Sequence, residues 1–305
     1  MDTLIRPDKG TDTRLRNVST RQRTWTLTVA CLGVALVISS MIALNTALGD
    51  IAVSTSANQS QLTWVVDSYT LVLACLLLPA GAIGDRYGRR GALLIGLAIF
   101  MLASLAPIFL DAPIQIIAAR AVAGAGAAFV MPATLSLLTV VYPKSERTKA
   151  VGIWAAVAGS GAVLGMLGSG VLLHFWPWQS IFWALAGAAA LLFALTWTVS
   201  DSRDATTPPL DWPGAALIAG AVAVLVFGIV EAPQRGWSDP LVICCLAAGL
   251  ALAVAFGVLE VHTERIRCST YPCSGEPISP PARRRSQCCS WPTSGSCSWS
   301  CSTRS

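Results

Sequence analysis

Continuously apolar stretches of about 20 residues recur along this chain, and no other feature restricts its fold so tightly. A helix of that length crosses a hydrocarbon core about 30 Å thick. The stretches are rich in Ala, Leu and Gly and lack alternation of period two, so they predict helices and not the strands of a barrel. Charged residues make up only 12% of the 305, against about 25% in soluble domains.

Eight membrane spans are predicted, over 26–48, 62–83, 91–110, 114–141, 150–173, 180–199, 213–232 and 239–261. The first is too long for a signal-peptide core and no A-x-A site follows it, so it reads as retained. Lys and Arg set the orientation. Arg6, Lys9, Arg14, Arg16, Arg21 and Arg23 precede the first span. Alternate connections then carry Arg86, Arg89 and Arg90, next Lys144, Arg147 and Lys149, then Arg203, while the opposite connections hold only Arg235. The positive-inside rule places the N-terminus in the cytoplasm, and eight crossings return the chain there. Trp25, Trp64, Trp176, Trp178 and Trp237 are expected at the interfaces, as an aromatic belt. The net charge of +5 thus reflects topology in a lipid bilayer, not nucleic-acid binding.

The expected organisation is a basic leader over 1–25, six helices over 26–199, a cytoplasmic linker over 200–212, two more helices over 213–261 and a polar Cys/Ser-rich tail over 262–305. The linker follows from "SDSRDATTPPLDWPG", the longest polar interruption, with its prolines and acids.

Chemistry-bearing residues are few. In "GAIGDRYGRRGALL", Gly81 to Leu94, four charges separate two apolar spans. Gly84 and Gly88 permit a tight turn and close helix approach. Asp85 can accept from Arg89 or Arg90, or approach a helix N-terminus. Arg120 lies inside the fourth span, where an Arg costs about 2.5–3.5 kcal/mol to insert and is usually paired or functional. Asp67, in the second span, lies at a similar depth, on the order of 7–9 Å below the outer boundary. Equal depth permits an Asp67–Arg120 pair; independent snorkelling of each to the outer interface stays open. Gly161, Gly165 and Ser169 form an i, i+4, i+8 stripe suited to helix packing. Glu231 sits at the outer end of the seventh span and reads as interfacial. His174 and His262 belong to no ligand or catalytic pattern, and there is no Walker A sequence, so neither an enzyme, a cofactor nor ATP-driven transport is indicated.

At these residues the chain resembles a known family. "GAIGDRYGRRGALL" is similar to the signature loop between the second and third helices of the major facilitator superfamily. "LTWVVDSYTLVLACLLLPAGAIGDRYGRR" resembles its fourteen-helix drug:proton antiporter branch. "LDWPGAALIAG" and "GIVEAPQRGWSDP" resemble that branch's two extra helices. The likeness runs from about Thr26 to His262. It implies an all-α polytopic membrane protein, a six-helix N-terminal transporter bundle plus two additional transmembrane helices, in the bacterial plasma membrane. It further implies proton-coupled export of small amphipathic or cationic compounds. Asp67 and Arg120 would serve proton coupling, and Gly84, Asp85, Arg86, Gly88, Arg89 and Arg90 would form the gating loop. Gly124, Gly161, Gly165 and Ser169 would pack helices. The chain departs from the family's pattern at four positions. Ser40 stands where an Asp is expected in the first helix, and Ala123 where a Gln follows the fourth-helix Arg. Met166 replaces a Pro and Ser169 a Gly in the fifth-helix motif.

The end of the chain, "SQCCSWPTSGSCSWSCSTRS", Ser286 to Ser305, concentrates cysteines without any paired C-x-x-C. A zinc site lacks the spacing, and a disulfide framework would lie in a reducing compartment. The genetic code suggests a third reading. With the codons shifted by one frame, most positions from Gln287 to Ser302 can encode only apolar residues. Codons from Ile266 to Ile278 permit a stretch similar to what the family places before its next helix. The tail is therefore expected to be out of frame from about Arg265, and the chain to stop after about eight helices and not to transport as it stands. A non-transporting interaction role, such as a homodimerising half-transporter, is the alternative.

Overall fold

A computed structural model describes residues 20–110, 112–199 and 212–270. The leader over 1–19, most of the linker and the tail beyond 270, with its cysteines, lie outside the described residues. The chain divides into two compact units, Met1–Val261 and His262–Ser305; the helical bundle and its contacts belong to the first.

Among the described residues, eight long helices succeed one another: α1 Thr20–Thr55, α2 Gln59–Tyr87, α3 Arg89–Leu105, α4 Pro113–Val141, α5 Lys144–Phe175, α6 Gln179–Thr196, α7 Trp212–Arg235 and α8 Pro240–Thr270. All eight contain a segment long and apolar enough to cross a membrane. The protein is an all-α polytopic membrane protein. Several helices outrun the predicted spans: α1 has 36 residues and α5 has 32. Hydropathy marks only the lipid-buried part, whereas a helix continues as long as its own backbone hydrogen bonds are the best available.

Local chemistry sets the ends. Asn58 and Gln61 form a reciprocal capping box at the start of α2, with Gln61 N donating to Asn58 Oδ1 at 2.8 Å and Asn58 N to Gln61 Oε1 at 3.0 Å. Pro113 occupies the first turn of α4, where its missing N–H costs nothing. Beyond α3, the chain tightens into a 3-10 turn, Ala106–Ile108, around Pro107.

Packing centres on α1 and α4. α4 lies against α2, α3 and α1, while α1 also packs on α5 and α6, and α3 on α6. Leu44, Ile51, Val65, Tyr69, Leu97, Phe100, Val130 and Phe182 fill the interior. α7 packs on α2, and α7 and α8 meet closely: a methyl on Gly249 would lie 2.5 Å from Leu225 Cγ. With lipid outside, such contacts are held by van der Waals packing and not by escape from water.

The aromatic belt is only partly as expected. Trp25, Trp176 and Trp237 are exposed, but Trp178 is buried at the start of α6, and Trp64 turns its indole N–H toward Glu231. Position along a span gives depth, and helix rotation decides whether a ring meets lipid or protein.

Candidate functional site

Arg120 is fully enclosed, with 2% of its surface exposed. Its guanidinium reaches two neighbouring helices. Nη1 donates to Ser40 Oγ at 3.0 Å and Nη2 to the Ser40 carbonyl at 3.3 Å, both on α1. Nε donates to the Val65 carbonyl on α2 at 3.4 Å. The Tyr69 ring lies beneath, its centroid 4.2 Å from Cζ, and the Tyr69 hydroxyl donates to the Val37 carbonyl at 3.0 Å. Carbonyl dipoles, a hydroxyl and an aromatic face thus surround the cation. Among the described residues no carboxylate forms an ion pair with it.

The Asp67–Arg120 pair is therefore not formed. Val65 and Tyr69, four residues apart, share the α2 face that meets Arg120. Asp67 is two residues from each, and residues two apart on a helix point in nearly opposite directions. Equal depth was met and equal azimuth was not. The Asp67 side chain instead lines a cavity of about 450 Å³ between α1 and α2, in the half of α2 remote from the basic turn. Asn45, Gln59 and Thr63 supply its other polar lining, with no Lys or Arg among the lining residues. The carboxylate makes no hydrogen bond or ion pair with any described residue.

At the other end of α2, the signature turn is held by four helices. Gly88 joins α2 to α3 at φ 117°, ψ 125°, a backbone that favours glycine. A methyl on Gly84 would stand 3.1 Å from Ala92 Cβ. Asp85 accepts from Arg89 Nε at 2.9 Å and from Ser136 Oγ of α4 at 2.7 Å. Arg90 goes elsewhere: its Nη2 donates to the Trp197 carbonyl just beyond α6, with Cζ 5.7 Å from that indole's centroid. Arg86 lies over its neighbour Tyr87. Ser136 carried no signal in the sequence, because a single hydroxyl in a span reads as neutral.

The small residues mark helix crossings. A methyl on Gly124 would lie 2.4 Å from the Tyr69 carbonyl oxygen, so α2 and α4 touch one turn below Arg120. Gly161 and Gly165 abut Ala35 and Ser39 of α1. There Ser39 Oγ donates to the Gly161 carbonyl, and the Thr46 hydroxyl to Ser169 Oγ, each at 2.7 Å. A further crossing, Gly96 of α3 against Gly126 of α4, was not anticipated. Each glycine's added methyl would fall 2.7 Å from the other's carbonyl oxygen. Its two members lie in different spans, where no spacing rule joins them.

Glu231, four residues before the end of α7, is enclosed by protein. It is 7% exposed, and it accepts from Trp64 Nε1 at 3.0 Å and from Arg235 Nε at 2.7 Å. The i, i+4 spacing to Arg235 was legible; the partner on α2 was not. No group of three or more His, Cys, Asp or Glu that could hold a metal occurs among the described residues.

Comparison with known proteins decides the family. Residues 30–272 match the model of the Major Facilitator Superfamily. The chain belongs to that superfamily. It is 33% identical over 235 residues to the methylenomycin A resistance protein of Streptomyces coelicolor, covering 77% of this chain and 50% of that protein. It is 35% identical over 239 residues to the multidrug resistance protein Stp of Mycobacterium tuberculosis, covering 77% and 44%. It spans about half the length of these relatives. The fold resembles a bacterial homologue of the human lysosomal transporter Spinster in an inward-facing, occupied conformation. That match has TM-score 0.56 and 19% identity over 79% of this chain and 61% of the other. This superfamily member is thus a polytopic membrane protein similar to drug-resistance proteins.

Proposed function

We propose that helices α1–α6, over residues 26–199, form one half of a proton-coupled exporter of small amphipathic or cationic compounds. α7 and α8, over 213–261, are its additional helix pair, and the N-terminus and basic turn face the cytoplasm of a bacterial cell. The similarity to resistance proteins supports the substrate class. The distribution of Lys and Arg supports the orientation.

One observation carries the reading: the Asp67 carboxylate, unpaired among the described residues, opens on a cavity of about 450 Å³ between α1 and α2. An ionisable group inside a membrane protein that faces a cavity marks an ion or substrate path. Asp67 can take up a proton or pair with a cation there, and the two alternatives exclude each other, which is the elementary requirement for exchange. Arg120, held by Ser40 and Val65, keeps a fixed positive charge at the α1–α2–α4 junction. Asp85, Arg89 and Arg90 brace the opposite end, where a change of state would break and remake their contacts.

The test is efflux from proteoliposomes by a full-length protein that carries these residues in frame with a second half. Asp67→Asn is expected to abolish proton-driven efflux while leaving membrane insertion intact. Wild-type efflux in that variant would refute the role given to Asp67.

A further inference from the structure

Among the described residues, a carboxylate of α7 stands in the contact between the additional helices and the bundle. Phe227, Glu231 and Arg235 stand at i, i+4 and i+8 on α7, a single stripe. Trp64 of α2 meets two of them. Its ring lies 5.5 Å from that of Phe227, and its N–H donates to Glu231 Oε1 at 3.0 Å. The second carboxylate oxygen accepts from Arg235 at 2.7 Å. Glu231 is 7% exposed, whereas the Arg235 side chain is 49% exposed, so the acid faces inward and its cation faces outward. A different face of α7, with Leu225 and Gly228, meets Gly249 and Cys245 of α8. α7 is thus held between α2 and α8.

A buried acid in a membrane span is costly to keep, and helix packing alone would be served as well by Leu. We propose that Glu231 docks the additional helix pair onto the six-helix bundle, by an indole–carboxylate–guanidinium latch that fixes α7 to α2. α2 is also the helix that carries Asp67, three residues beyond Trp64. The pair is then a fixed companion of α2 and not a loose tether between two halves.

The latch is tested on the full chain purified in detergent, with a benzophenone side chain at position 227 as the proximity probe. Irradiation is expected to join position 227 to the α2 segment around Trp64. Glu231→Leu is expected to lose that crosslink, and Glu231→Gln, which still offers an oxygen to the indole N–H, to keep most of it. Unchanged crosslinking in Glu231→Leu would overturn the proposal. Thermal unfolding of the chain without the probe gives an independent measure. Trp64→Phe and Glu231→Leu should each lower the midpoint, and the double variant no further than the worse single; strictly additive losses would also overturn it. Should Glu231→Leu not accumulate, Trp64→Phe carries the probe test alone. It keeps an aromatic ring and every charge, and removes the N–H together with the rest of the indole's five-membered ring. A retained crosslink in Trp64→Phe would then count against the latch.

Discussion

Arg120 on α4 spends two of its hydrogen bonds on a single residue of α1, the hydroxyl and carbonyl oxygens of Ser40. A neutral hydroxyl is a weaker partner for a buried guanidinium than a carboxylate would be. Ser40→Ala removes it and is expected to cost about 1–3 kcal/mol. Ser40→Asp places a carboxylate beside a cation whose burial is already part of the fold, so it should raise the thermal unfolding midpoint of the purified protein. A midpoint equal to or below that of the parent would show that the dipoles and the Tyr69 ring already compensate the charge.

Glycine substitutions should separate helix crossings from positions with open space beside them. At Gly126 a new methyl meets Gly96 O and Phe100 N, each at 2.7 Å. Both are backbone atoms that cannot rotate away. Gly126→Ala is expected to destabilise by about 1–3 kcal/mol or to force α3 and α4 apart. At Gly168, on α5, nothing lies within 4 Å, and Gly168→Ala should gain about 0.4–1 kcal/mol by restricting the unfolded chain. Thermal melting of the two variants side by side gives the comparison; equal midpoints would contradict the assigned crossing.

Membrane insertion is a property of single segments, and the sequence spells it out segment by segment. Eight apolar runs therefore foretold eight helices, and the Gly-x-x-x-Gly spacing of α5 foretold a packing stripe. Partners between segments depend on rotation about each helix axis, which depth does not encode. That is why Asp67 and Arg120 matched in depth but face apart, why Ser136 went unassigned and Trp64 was given only a place in the aromatic belt, and why Gly96 and Gly126 went unseen. The signature turn was partly legible because its residues are adjacent: Asp85 was expected to accept from Arg89 or Arg90 or to approach a helix N-terminus, and it accepts from Arg89.

The turn offers a test of coupling. Asp85 binds both Arg89 of α3 and Ser136 of α4, so it links three helices through one carboxylate. Asp85→Asn and Ser136→Ala should each destabilise modestly, on the order of 1 kcal/mol, and the double variant should fall short of their sum because they share one hydrogen bond. Gly88→Ala, at φ 117°, should cost about 1–3 kcal/mol through backbone strain alone and should be additive with Ser136→Ala. Melting curves of these variants report all three energies, and additivity of Asp85→Asn with Ser136→Ala would mean that their contact contributes nothing.

Arg90 closes the end of α6. Its guanidinium donates to the Trp197 carbonyl and lies over the Trp197 ring, where a cation also meets the negative end of the helix dipole. Nearby, Trp25 Nε1 donates to Thr198 Oγ1 at 2.7 Å, so the same turn is tied to α1. Arg90→Gln removes the charge and the fork, and should weaken the last turn of α6 by about 0.3–1 kcal/mol. The readout is amide exchange. Thr196 to Val199 should exchange about two- to fivefold faster than in the parent, while Leu185 and Ala189, deeper in α6, should not change. Arg90→Lys keeps the charge without the planar fork and should restore part of the protection. Faster exchange throughout α6 would instead mean that Arg90 holds the whole helix in place.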